Sequence, residues 1–374
     1  MKLAKALVGH LWDLRIDRSC KIKLKKIKNN LRTSPSICSS ATRSEFMELW
    51  SPLEHKPDSA YIDVYSKVCG IDSSLFVPEN TYYKTIEPTL NNRAFSLAYA
   101  DKNFYNRFVE GNESTLPDIY LRGINGTVYT SDYMPVLKPE DVSTNLPKEK
   151  RMILKPAVDS GGGAGVVGLQ HTQDSKISIN GEAHDYAKFV DILKNDYENS
   201  FVIQERIEQH PWFSSFNKSS VNTIRMMIYR SSSDEKVKVI KSVLRFGQPG
   251  SLVDNQASGG LSCGVSKDGI VNDFAVDKYG TIFPQNITEK EVPGYNEMVD
   301  LVSNAAKKFP YHRLLGFDMC IDSEGHLKLL EVNTKNLEIN FMQMNLGPLF
   351  GEYTEEVIQY CSSKKKTIVL DFQT

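Results

Sequence analysis

The sequence predicts an α+β protein in which two antiparallel-sheet subdomains follow an N-terminal mixed region. Three observations carry that prediction. Residues 151–169 read as a strand, a glycine-rich loop and a returning strand. Residues 223–230 and 236–246 are apolar runs divided by Ser-Ser-Ser-Asp-Glu, which reads as a long hairpin. Residues 316–321 and 326–333 flank the turn Asp322-Ser-Glu-Gly325 and read as a second hairpin.

The chain has 374 residues, more than one domain usually holds, so subdomains sharing an interface are expected. The boundaries fall at an N-terminal region 1–95, a small subdomain 96–205 with the glycine-rich loop, and a large subdomain 206–374 with the second hairpin. A composition of 40% hydrophobic and 24% charged residues is that of a folded globular protein. The net charge of -1 argues against a chain-wide commitment to nucleic acid. Residues 1–32 nevertheless carry ten Lys or Arg against two Asp, a net of +8. That charge is either a solvated helix face or a peripheral contact with anionic membrane lipid.

The six cysteines are scattered without a C-x-x-C pair, so reduced thiols are expected. No apolar run reaches the roughly 18 residues of a membrane span, and residues 4–14 are too short and too polar for a signal peptide. The expected compartment is the cytoplasm. The oligomeric state has no signature in the sequence.

In chain order, residues 100–109 space Phe104, Phe108 and Val109 for a helix that Asp101 would cap and Gly111 would close. The strand 151–156 ends at Lys155-Pro156 and opens the loop 159–165. Residues 201–204 form a third apolar run leading into Glu205, Arg206 and Ile207. From 297 to 309, Met298, Leu301, Val302, Ala305 and Phe309 fall at helical spacing.

The loop at Ser160, Gly161, Gly162 and Gly163 suits phosphate, because backbone amides without side chains can approach an anion closely. Residues 163–168 match G-x-G-x-x-G but lack the helix that should open there, so a dinucleotide site is not expected. Lys155 would set an ammonium against phosphates in the loop; otherwise it is a solvated strand end. In the second hairpin, pairing Ile321 with His326 sets Asp318 opposite Leu329. Strand alternation then puts Glu331 and Asn333 on the face of Asp318. Two carboxylates and an amide are hard donors suited to Mg²⁺ or Mn²⁺ bridging phosphates, or else a solvated acidic face. Arg225 and Arg245, on neighbouring strands and so able to share a face, are either structural ion pairs or cations for a transferring phosphoryl group. Asn255, in the polar loop 254–260, would present its amide to an acceptor or phosphate, or sits in a plain turn.

Together, Asp101-Lys102, residues 153–156, the loop 161–165, residues 204–207 and Asp318 with Glu331-Val-Asn333 resemble the ATP-grasp superfamily in its characteristic order. Residues 221–225, 245–247, 254–255 and 259–260 look closest to the sugar-transfer-associated ATP-grasp group found among polysaccharide biosynthesis proteins. The resemblance implies an ATP-grasp fold with the nucleotide between the two sheets. It implies that Lys102 and Lys155 contact phosphates, that Gln204, Glu205, Arg206 and Ile207 meet the adenine, and that Asp318, Glu331 and Asn333 hold two magnesium ions. Phe317 precedes the aspartate where D-alanine ligases carry an arginine, which leaves Arg225 and Arg245 as candidate cations. The implied reaction is ATP-dependent ligation of a small-molecule or sugar-linked carboxylate to an amine through an acyl phosphate. The alternatives are a kinase acting on a hydroxyl and an inactive nucleotide-binding scaffold. Retention of Lys155, Asp318, Glu331 and Asn333 argues against the scaffold.

Overall fold

A computed structural model describes residues 2–158, 163–172, 174, 176–198, 200–251, 254 and 259–370. Among the described residues, fourteen strands form two seven-stranded sheets whose hydrogen-bonded neighbours are antiparallel. The first sheet holds β1 (Ile119–Ile124), β2 (Thr127–Thr130), β3 (Met152–Pro156), β4 (Val167–His171), β5 (Ile177–Ile179), β6 (Glu182–His184) and β7 (Phe201–Glu205). Their order is β2-β1-β7-β3-β4-β5-β6. The second holds β8 (Thr223–Arg230), β9 (Val237–Phe246), β10 (Leu261–Val265), β11 (Val271–Val276), β12 (Ile282–Pro284), β13 (Leu314–Ile321) and β14 (Leu327–Asn333). Their order is β12-β11-β10-β9-β8-β13-β14.

Alternation decides what each face does. On β3, Met152 and Leu154 are buried with Ile203 of β7 and with Phe189 and Leu193 of the helix Tyr186–Asn195. Ile153 and Lys155 therefore take the opposite face of the first sheet. On the second sheet, Ile224 and Met226 of β8 and Leu315, Phe317 and Met319 of β13 pack with Met298 and Val302 of the helix Tyr295–Ala306. The alternate residues Met227, Tyr229 and Leu314 lie in a different core, under the N-terminal helices. With both faces covered, every position of β13 is buried.

The N-terminal region is helical from α1 (Lys2–Asn30) to the helix Arg93–Ala100. In α1, Ile16, Cys20, Leu24 and Ile27 recur at helical spacing and enter the same core as Tyr65 and Tyr82. Buried polar bonds fasten this region to the segment after β14. Gln343 pairs with both backbone groups of Val77, at 2.8 and 3.1 Å. Asn91 donates to the carbonyls of Leu314 and Thr334 at 2.7 and 3.0 Å, and accepts from the amides of Arg313 and Leu314 at 3.1 and 3.0 Å. The fully buried Glu87 accepts from the amides of Asn336 and Leu337 at 3.0 and 2.8 Å, fixing a turn in which Asn336 has φ 51°.

Two local expectations need correction, and a third holds with its ends shifted. The helix expected over 100–109 is a 3₁₀ segment, Lys102–Arg107; Asp101 does cap it, accepting from the Asn103 amide at 2.9 Å. A tight segment results because it must reach both sheets: the Lys102 amide bonds the Ala157 carbonyl after β3, and the Tyr105 hydroxyl accepts from the Val332 amide of β14. The helix expected over 297–309 runs from Tyr295 to Ala306. The register of the second hairpin also differs. Ile321 faces Leu327 rather than His326, and Asp318 faces Glu331 rather than Leu329. All six cysteines are free. No helix among the described residues is long and apolar enough to cross a membrane.

Candidate active site

The register of the second hairpin creates the central cluster. From Ile321 to Met319 the partners run Leu327, Lys328, Leu329, and then the ladder jumps so that Asp318 faces Glu331. Leu330 is the extra residue of a β-bulge. Without it Glu331 would follow Leu329 into the apolar core, because one residue of slip exchanges the faces. With it, Asp318, Glu331 and Asn333 share one face, and the Asn333 Nδ2 donates to Asp318 Oδ2 at 3.3 Å.

The same face carries the two arginines. Arg225 pairs with Asp318 across β8 and β13, and Arg245 of β9 pairs with Thr223, two residues from Arg225. Their environments differ. Arg225 holds Asp318 in a two-pronged bond, Nε to Oδ1 at 2.6 Å and Nη2 to Oδ2 at 2.5 Å. Arg245 makes two long contacts, 3.4 Å to Asp318 and 3.6 Å to Asp254, and its buried Nε has no partner among the described residues. Arg225 is thus committed to Asp318 by a two-pronged bond, whereas Arg245 keeps that unpartnered donor in a buried place. Asp254 also accepts from the Thr223 hydroxyl.

Two lysines arrive from the other side. Lys102 is buried and its Nζ lies 3.0 Å from Glu331 Oε1. Lys155 Nζ donates to the carbonyl of the bulged Leu330 at 3.3 Å. Burial and the neighbouring Lys102 ammonium push the Lys155 pKa down to about 7. Burial opposes the charge on Asp318, but the Arg225 guanidinium outweighs it and holds the carboxyl below its usual range; Lys102 does the same for Glu331. Asp254 moves the other way, because burial outweighs the help of Arg245. Lys102, Lys155, Arg225 and Arg245 stand against Asp254, Asp318 and Glu331, and an anionic guest would favour the charged form of Lys155.

The remaining expected residues are placed as follows. Ser160, Gly161, Gly162 and Asn255 lie outside the described residues. Gly163 and Gly165 both have φ 74°, and a Cβ on Gly165 would come within 3.0 Å of Pro156. Gln204 sits on β7 beside Ile153 of β3. The amides of Glu205 and Arg206 are committed to the carbonyls of Asp118 and Arg151 at 2.8 and 3.1 Å, and the Glu205 carboxylate takes Lys328 at 3.0 Å. Ile207 is buried. The sequence reading missed Tyr105, Glu87 and Asn91, which hold the strand ends that carry the cluster. No spacing pattern marks them.

The model of a family described as sugar-transfer associated ATP-grasp matches residues 81–357. Among solved structures, the biotin carboxylase domain of Hydrogenobacter thermophilus 2-oxoglutarate carboxylase, with MgADP, ADP and bicarbonate, is 14% identical, covering 72% of this chain and 46% of that one at a TM-score of 0.40. Campylobacter jejuni biotin carboxylase, in a β,γ-ATP complex, is 14% identical, covering 72% of this chain and 47% of its own at 0.42. The ATP-grasp ligase PsnB, complexed with a minimal precursor, is 15% identical over 72% of this chain and 63% of its own at 0.37. This chain therefore spans about half to two thirds of their length. A search of curated proteins returned no match.

Proposed function

Because the chain belongs to the sugar-transfer associated ATP-grasp family, we propose that it binds Mg-ATP between its two sheets and spends it on joining a carboxylate to an amine. The observation that carries this reading is the meeting of Lys102 and Lys155 with Glu331 and the Leu330 carbonyl, at 3.0 and 3.3 Å. Polyphosphate entering there would take over both ammonium groups. In this reading residues 96–205 and 206–374 hold the nucleotide between them, with the glycine-rich loop as the phosphate-binding segment and residues 204–207 along the adenine.

The donor set fits magnesium. Asp318, Glu331 and the Asn333 amide oxygen are hard ligands on one face. Among the described residues no three His, Cys, Asp or Glu side chains form a metal cage. Magnesium is commonly held by one or two carboxylates together with phosphates. When bound, magnesium would offset negative charge on the phosphoryl oxygens.

In the first step an acceptor carboxylate oxygen attacks the γ-phosphorus, the bond to the β,γ-bridging oxygen breaks, and ADP leaves. Arg245 donates to the γ-phosphoryl oxygens as their charge grows, while Arg225 keeps Asp318 oriented and ionised. In the second step the amine attacks the acyl carbon, the carbon–oxygen bond breaks, and phosphate and a proton depart. The family description favours a sugar-linked acceptor in polysaccharide or cell-surface sugar biosynthesis, on the cytoplasmic side where ATP is available. Contact of residues 1–32 with a membrane surface would bring such an acceptor within reach.

The test is a screen of uronic acids, amino acids and nucleotide-linked sugars for acceptor-dependent ADP release with magnesium. Release of AMP would redirect the mechanism to adenylation. A stable phosphorylated product formed without amine would make the protein a kinase.

A further inference from the structure

α1 has two apolar sides, and one of them faces outward. Opposite its buried side, Leu7, Leu11 and Leu14 recur at four and three residues and are 61%, 57% and 50% exposed; Ile22, two turns on, is 50% exposed. The rest of this outer surface is basic, with Arg15, Arg18, Lys21, Lys25, Lys26 and Lys28 all exposed. The two acidic residues of α1 turn away from it: Asp13 pairs with Lys366, and Asp17 with Lys84 at 2.9 Å.

The far end of the chain packs on the opposite side of α1, where Lys366 pairs with Asp13. Val369 is buried in the N-terminal core, and Ile368 lies on Gly9 so closely that an added Cβ would come within 3.2 Å of it. Held by these anchors, Ile368 and Leu370 remain 41% and 53% exposed beside the exposed Lys364 and Lys365. On the outer face of α1, apolar side chains rimmed by cations make an unusual solvated surface, and its chemistry narrows the partner. A second copy meeting it across a two-fold axis would set like charges together. Nucleic acid would satisfy the lysines and leave the leucines in water. A bilayer with anionic headgroups satisfies both.

We propose that the outer face of α1 forms a docking surface for anionic lipid, with α1 lying in the plane of the membrane interface. This names the surface and lipid chemistry for the membrane contact of residues 1–32 and rests on that part of the reading alone.

The experiment is flotation of the full chain with phosphatidylcholine vesicles, with or without phosphatidylglycerol. Binding is expected with phosphatidylglycerol alone and should fall steeply with salt. Lys21→Gln with Lys25→Gln should weaken it about thirtyfold, at about 1 kcal/mol per basic residue near an anionic surface. Leu7→Ser with Leu11→Ser should weaken it at least about tenfold. Thermal midpoints should not move, because all four side chains are exposed. Equal binding to neutral vesicles, no binding to either, or self-association that Leu11→Ser abolishes would overturn the proposal. Vesicle binding needs no nucleotide, so its failure and a failure of acceptor-dependent ADP release are read separately.

Discussion

Replacing Arg225 with methionine keeps most of the side chain's volume and removes the guanidinium that holds Asp318. Asp318 is 4% exposed, and its two shortest bonds, 2.6 and 2.5 Å, both come from Arg225. What stays is a 3.4 Å contact from Arg245 and a 3.3 Å bond from Asn333. Removing one partner of a buried ion pair costs about 3–5 kcal/mol. The two remaining contacts place the expected loss near the lower bound, about 3 kcal/mol. Urea unfolding at neutral pH measures it, and Arg225→Met with Asp318→Leu should regain at least about half, since an apolar pair can replace a buried ionic one. Arg245→Met is the contrast. Its contacts of 3.4 and 3.6 Å are long and its buried Nε has no partner among the described residues, so stability should drop by less than for Arg225→Met. Its kcat should nevertheless fall about 10²–10³-fold, because the interaction it loses strengthens in the transition state. A loss below about 1 kcal/mol for Arg225→Met, or a double variant no more stable than the single one, would refute this division of labour.

Two further outcomes follow from the N-terminal clamp. Glu87→Gln should destabilise by about 2–4 kcal/mol in urea unfolding, because the amide presents hydrogens where Tyr82, Arg93 and the Asn336 and Leu337 amides already donate; a change under about 1 kcal/mol would remove Glu87 from the clamp. His312 is buried against Ser96, and burial, aided by Arg93, pushes its pKa down to about 3. The unfolded chain then binds this proton more readily than the fold does. Its contribution is full above about pH 6.5 and fades as pH falls towards 3, a loss of about 2 kcal/mol by pH 5. In His312→Phe the difference between urea midpoints at pH 7 and pH 5 should shrink accordingly. An unchanged difference would place the acid sensitivity elsewhere.

Much of the cluster was legible because strand alternation is a short-range rule. Asp318, Glu331 and Asn333 were expected on one face, and they share one, but by a different route. The expected ladder was unbroken and set one residue off. The real ladder is shifted by one and then bulged at Leu330, and each change exchanges the faces, so the two cancel. A bulge leaves no mark in apolar periodicity. Arg225 and Arg245 do share a face, yet their different bonding depends on which arginine stands directly opposite Asp318, a fact of register between distant strands. Glu87 and Asn91 were unreadable for a similar reason. Their backbone partners lie more than 220 residues away, and a single buried side chain that bonds backbone has no period. The 3₁₀ segment at Lys102 was read as an ordinary helix, because its side-chain spacing suits both and only its tie to Ala157 separates them.

The central claim is that the face carrying Asp318, Glu331 and Asn333 supports phosphoryl transfer from Mg-ATP to a carboxylate. Acceptor-dependent ADP release, compared between the wild-type chain and Glu331→Gln at saturating magnesium, tests it most directly. A neutral amide cannot replace an anionic ligand between divalent ions, so kcat should fall by at least about 10³-fold. The far-ultraviolet spectrum should stay unchanged, because Glu331 lies at the cleft and outside the apolar cores. Wild-type turnover by Glu331→Gln would contradict the account.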